Sequence, residues 1–184
     1  MKRSFTAAEL QVAQSVFQKT LPYDRIAISD RAGLDGKPYT MGGGRGDPDW
    51  ERAPSFTLNV GPAHYSNGMH TGPKPAPAAS GTRIVGVSVA VSPSATPAWC
   101  LIHELTHVWQ SLNSSWPASY IFGSAINQLA SGAAAYSYQA GAPWESYNVE
   151  QQASLIADWY GQGASPDSAL FPYIRDKILQ GKIF

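Results

Sequence analysis

Between Pro97 and Leu112 the chain carries one formal charge, Glu104, and two histidines flank it in His103-Glu104-Leu105-Thr106-His107. Trp99 to Ile102, Leu105, Thr106, Val108 and Trp109 are all uncharged, as a helix buried around most of its circumference requires. Thr96-Pro97 supplies an N-cap followed by proline at the first helical position, so the spacing predicts a helix from Pro97 to about Leu112. Burying two imidazoles and a carboxylate side by side is costly unless an ion or a reaction accounts for them.

The five residues form an H-E-x-x-H pattern. Histidines four apart lie a little over one helical turn from each other, so both imidazoles project from one face and can bind the same ion. Glu104 sits beside the position left open, where it can take a proton from a water on that ion and pass it to a leaving amine. Zinc is the ion this donor set suits.

A catalytic zinc needs a third protein ligand. The metzincin continuation would place Gly at 110 and His at 113, where this chain has Gln110 and Asn113, so that class is excluded. Downstream candidates are Glu145, Glu150 and Asp158. Glu145 adjoins Pro143-Trp144 ahead of the next helix, where a side chain is held less firmly. Glu150 falls in the first turn of a patterned helix from Ser146 to Tyr160, capped by Ser146 or Asn148, and is the preferred third ligand because it projects from a rigid element. Tyr136, Tyr138, Tyr147, His64 and His70 are the candidates for stabilising an oxyanion, since a phenol or an imidazolium can donate to developing negative charge. Cys100, one turn before His103, reads as a small buried hydrophobe.

Composition narrows the partners. Thirteen Lys and Arg balance 13 Asp and Glu, which removes the positive footprint of a protein that neutralises many phosphates. Nucleic acid is therefore not an expected partner. One cysteine among 184 residues permits neither an internal disulfide nor a cluster of thiolates. Met1-Lys2-Arg3 is basic, but Glu9, Gln11, Gln14 and Gln18 interrupt the apolar stretch a signal peptide needs. The longest apolar run, Ile84 to Val91, is too short to span a bilayer. The expectation is synthesis in the cytoplasm without an export signal and without a membrane span.

The rest of the chain reads as α+β, with strands early and helices late. Thr6-Ala7-Ala8-Glu9 is a capping box with Phe5 placed to staple onto Leu10, opening a helix from 6 to 20 that ends near Leu21-Pro22. Strands are expected at Asp24 to Asp30, Phe56 to Val60 and Arg83 to Val91. A long loop from Arg31 to Ala53 contains Gly42-Gly43-Gly44-Arg45-Gly46, which lacks the Lys-Ser or Lys-Thr of a phosphate loop and reads as a lid or linker. Gly61 to Gly81 is turn-rich. Residues 118 to 135 read as helical, and Ser165-Pro166-Asp167 caps a last helix running to about Gln180.

His103-Glu-Leu-Thr-His-Val-Trp-Gln110 and Asn148-Val-Glu-Gln-Gln-Ala-Ser-Leu-Ile-Ala-Asp-Trp-Tyr160, with the opening Thr6 to Ile28 pattern, resemble the gluzincins and, more narrowly, the Vgr-related zinc metallopeptidases. The resemblance implies a zinc peptidase in which His103, His107 and Glu150 hold the metal and Glu104 is the base. It also implies an antibacterial effector that a type VI secretion system delivers to act in the periplasm of the struck cell, with a spike protein and an immunity protein as partners. Larger gluzincins carry an acidic residue four positions after the ligand glutamate to orient the first histidine. Here that position is Ser154, which leaves Asp158 or a water for the role.

The expected architecture is a single zincin-like domain over 1–184, with a small three-stranded sheet and several helices backing the active-site helix. The valine-rich strand before that helix is the expected edge for an extended protein or peptide substrate. Two other readings are a non-catalytic, zinc-stabilised cargo or adaptor module of a secretion spike, recognisable by a fourth protein ligand such as His64, His70 or Cys100, and a zinc hydrolase acting on a cell-wall crosslink.

Overall fold

The computed structural model describes residues 1–33, 36–42, 55–72, 96–113 and 136–181. They form an α+β fold of five helices and a four-stranded mixed sheet. Strand β1 (Lys2–Arg3) leads into α1 (Ala7–Phe17), then β2 (Ile26–Ser29), β3 (Tyr39–Gly42), β4 (Phe56–Asn59), α2 (Gly61–Asn67), α3 (Pro97–Asn113), α4 (Val149–Gly161) and α5 (Phe171–Tyr173). A π-helical turn, Ile174–Ile178, continues α5.

The sheet order is β1-β2-β4-β3. β2 and β4 run parallel, with Ile26 opposite Phe56 and Ile28 opposite Leu58, while β3 runs antiparallel to β4 with Thr40 opposite Leu58. Because side chains alternate along a strand, Ile26, Ile28, Phe56 and Leu58 share the buried face. Thr40 points to that same face, toward α3.

Helix α3 is the centre of the molecule and packs against α4 and against the sheet. Thirteen of its 17 residues are buried, as its lack of charge requires. Its cap is the expected one: the Thr96 hydroxyl accepts the Trp99 N–H at 3.2 Å. The α1 capping box also forms, with the Thr6 hydroxyl accepting the Glu9 N–H and Glu9 accepting the Thr6 N–H. That helix stops at Phe17, short of Leu21, because Gln18 turns to φ 48°. Phe5 lies edge-on to Tyr23.

Several elements differ from the sequence expectation. The sheet has four strands among the described residues, two of them expected and two, β1 and β3, unexpected; β3 lies inside the long loop. The expected strand at 83–91 and helix at 118–135 lie outside the described residues, as do Gly43 to Gly46. Gly61–Asn67 is helical where turns were expected, with Pro62 in its first turn. The last helix starts at Phe171, because Ser165 and Ser168 side chains hold the preceding residues in turns by accepting the Asp167 and Leu170 N–H groups. Among the described residues no helix is long and apolar enough to cross a membrane.

Candidate metal centre

His103 and His107 leave α3 on one face, and Glu150 meets them from the first turn of α4. Asn148 caps that turn: its side chain accepts the Gln151 N–H at 2.8 Å, and Gln151 returns the bond to the Asn148 N–H at 3.0 Å. Glu150 Oε2 lies 3.0 Å from His103 Nε2, and Oε1 lies 3.4 Å from His107 Nε2. One ligand atom from each residue falls within 4.8 Å of the others, and all three residues are buried. This His-His-Glu group can hold a metal ion.

Its electrostatics fit a cation. Burial alone would push the His107 imidazole toward its neutral form, but the Glu150 carboxylate outweighs that and raises it to about 9. Burial would likewise raise the Glu150 carboxyl, yet His107 and then His103 hold it well below the usual carboxylate range. Positive charge is favoured at the point where the three side chains converge, and two nitrogens with one carboxylate oxygen are the donors that zinc takes.

The two imidazoles are supported differently. His107 Nδ1 lies 2.8 Å from Gln110 Oε1, and Gln110 Nε2 donates to the Val149 carbonyl at 3.0 Å and to Gln152 Oε1 at 2.9 Å. Since the amide nitrogen spends its hydrogens there, Gln110 Oε1 must accept, so Nδ1 carries the proton and Nε2 faces the group. His103 Nδ1 is buried and has no hydrogen-bond partner among the described residues, and the same holds for Ser154 Oγ. Asp158 does not take the role held open for it: its oxygens accept from Trp99 Nε1 and from the Tyr138 hydroxyl, each at 2.7 Å.

Glu104 is buried beside the histidines. The Thr40 hydroxyl, reaching across from β3, lies 2.7 Å from Glu104 Oε2 and 3.1 Å from the Glu104 carbonyl oxygen. Neither Thr40 nor Gln110 stood out in the sequence. Thr40 sits in a stretch read as loop, and Gln110 registered as a departure from the metzincin pattern and as the end of the His103–Gln110 segment, with no role of its own.

Of the other candidate ligands, Glu145 is exposed and pairs with Lys177. Among the described residues no fourth His, Cys, Asp or Glu joins the group. Cys100 is buried, and burial together with Glu104 pushes its thiol up to about 12. His64 lies on α2, and His70 is exposed beyond it. Among the tyrosines, Tyr147 donates to the Gln139 carbonyl and accepts the Ala142 N–H, and Tyr138 is committed to Asp158. Tyr136 is the one beside the group: its ring centroid is 6.1 Å from that of His103, and burial, Glu150 and Glu104 all raise its phenol. The chain matches no family model, no curated protein and no solved structure, so the gluzincin likeness rests on its own residues and their geometry.

Proposed function

We propose that the chain is a zinc-dependent metallopeptidase in which His103, His107 and Glu150 hold the ion and Glu104 is the general base. One observation carries the reading: two imidazoles and a carboxylate, buried and converging from two packed helices, stand beside a second buried carboxylate on the same helix. A zinc ion held there would supply Lewis acidity, activating a water and polarising a carbonyl.

The chain's residues account for the remaining steps. With Oε2 engaged by Thr40, Glu104 presents Oε1 to take the proton of the attacking water and hand it to the leaving amine. Tyr136 donates its hydroxyl to the developing oxyanion. β3 is one of the two edge strands of the sheet among the described residues, and a peptide paired to its backbone would lie beside Glu104, which Thr40 of that strand already touches. The likeness of the His103–Gln110 and Asn148–Tyr160 segments to Vgr-related peptidases is what supports delivery by a type VI machine and partnership with an immunity protein.

The test is metal analysis and peptidase assay on the purified protein. Glu104→Gln should keep stoichiometric zinc while activity falls about 100- to 10,000-fold, the range a positioned general base supplies. His107→Ala should lose the zinc. A chelator should abolish wild-type activity and added zinc restore it. Full activity of Glu104→Gln overturns the mechanism, and a wild-type protein that takes up no zinc overturns the metal reading. Screening peptides against crosslinked cell-wall fragments separates the peptidase from a cell-wall hydrolase.

A further inference from the structure

An imidazole turns easily about its Cβ–Cγ bond, because that torsion has broad wells. His107 is pinned at both ring nitrogens, by Gln110 and by Glu150. His103 meets Glu150 through Nε2, while its Nδ1 has no partner among the described residues. A ring tethered at one nitrogen can swivel. What lies against its face is the Trp99 indole, stacked at 4.9 Å between centroids and 24° between planes.

That indole is itself anchored. Trp99 and His103 are four residues apart on α3 and so lie one above the other. Trp99 Nε1 donates to Asp158 Oδ1 at 2.7 Å, and Asp158 Oδ2 accepts the Tyr138 hydroxyl at 2.7 Å. Asp158 is buried and stands two turns beyond Glu150 on α4. The same two helices that bring the histidines to Glu150 therefore also brace the indole against the histidine whose Nδ1 has no partner among the described residues. Hydrogen bonds to a buried carboxylate are among the stronger ones a protein makes, so this brace is stiff.

We infer that Trp99, anchored by Asp158 and through it by Tyr138, is the positioning residue for His103, its indole plane holding the imidazole so that Nε2 stays aimed at the point where His107 and Glu150 converge. The inference rests on the metal reading above. It differs from hydrogen-bonded orientation of a ligand in that the ring is held by its face.

The test measures zinc affinity by competition with a chromophoric chelator, and the visible absorption of the Co2+-loaded protein, which reports ligand geometry. Trp99→Phe keeps a ring but loses the anchoring N–H. Asp158→Ala removes the acceptors of both the Trp99 N–H and the Tyr138 hydroxyl. Trp99→Leu removes the plane. Outer partners of metal ligands change affinity about 10- to 100-fold: the first two variants should weaken zinc binding by about 10-fold, Trp99→Leu by about 100-fold, and all three should shift the Co2+ bands. Trp159→Phe is the control, since it loses an equivalent indole bond to the Ser165 carbonyl away from the histidines; it should melt earlier yet bind zinc as wild type does. Folded Trp99→Leu or Trp99→Phe protein with wild-type affinity and an unchanged Co2+ spectrum overturns the inference alone. If Trp159→Phe weakens zinc binding as much as Trp99→Phe, the effect is general destabilisation and the inference falls. Wild-type protein that binds no zinc overturns the metal reading itself.

Discussion

Gln110 follows His107 by three residues on α3, so its side chain comes back to the same face and meets the imidazole there. Its amide meets three partners on two helices: the buried His107 Nδ1 and Gln152 Oε1, and the carbonyl of half-buried Val149. Gln110→Ala should therefore do two separable things. Stability should fall by about 1–3 kcal/mol for each buried group left unpaired, read by urea unfolding of metal-free protein. Zinc affinity should fall about 10- to 100-fold, as it does when the outer partner of a ligating histidine is removed. Wild-type affinity in a folded Gln110→Ala protein would mean that something else sets the His107 tautomer. At this scale the sequence was informative about ligands and silent about their supports. Helical spacing brings out His103 and His107 because periodicity alone puts them together. Gln110 lies one turn from His107, but its amide is oriented by Gln152, 42 residues away, and Thr40 meets Glu104 from 64 residues away; no local pattern encodes either bond.

The elements divide the same way. Helices α1, α3 and α4 were legible because each has a cap and a periodic apolar face. β1 was not, since two residues carry no alternation, and β3 was not, since Tyr39–Gly42 runs into a glycine-rich stretch that reads as loop; β3 is a strand because β4 pairs with it. Gly42 shows what that pairing demands. Read as the first glycine of a lid or linker, it is the last residue of β3, opposite Phe56. Its φ is +134°, and a Cβ there would come within 2.2 Å of the Ser55 carbonyl oxygen and 2.8 Å of Phe56 Cα. Backbone, which cannot swing aside, occupies the space. Gly42→Ala should destabilise by at least about 2 kcal/mol, since both the dihedral and the clash oppose it, and should pull β3 off β4. Thr40 then leaves Glu104, so the proposed peptidase activity should fall, while the proposed zinc site, whose residues lie on α3 and α4, should keep its affinity. Gly36→Ala is the comparison: φ is +73° but no heavy atom lies within 4 Å, so its loss should be about 1 kcal/mol. Equal losses in the two variants would show that dihedral strain alone acts at Gly42.

At the scale of the whole molecule, one charge among the described residues outside the His-His-Glu group ties distant segments together: Glu9, which is 0% exposed. It accepts two bonds from Arg3, at 2.7 and 2.8 Å, and further ones from the Thr6 and Met69 N–H groups at 2.8 and 2.9 Å. One carboxylate thus ties β1, the start of α1 and the segment after α2 into a unit. Burial pushes its carboxyl up, but Arg3 and the two N–H donors outweigh that and bring it from 4.5 down to about 2. A carboxyl depressed by folding contributes stability that is fully present above its unfolded value and lost as the pH falls through its folded one. The Glu9 contribution should therefore hold from neutral pH to about 4.5 and drain away toward about 2. Glu150, also depressed by its histidines, steepens the same acid limb. Glu9→Gln should cost about 3 kcal/mol near neutral pH, because Arg3 loses its charged partner. Its deficit should then shrink with acidification, since a protonated glutamate and a glutamine offer Arg3 nearly the same partner. Urea unfolding of both proteins with a chelator present, from about pH 7 to about pH 2, measures this without linkage to bound metal. Converging curves place the Glu9 charge in the stability of the fold; a deficit that stays constant across the range would mean that Glu9 supports the structure by shape and hydrogen bonding alone.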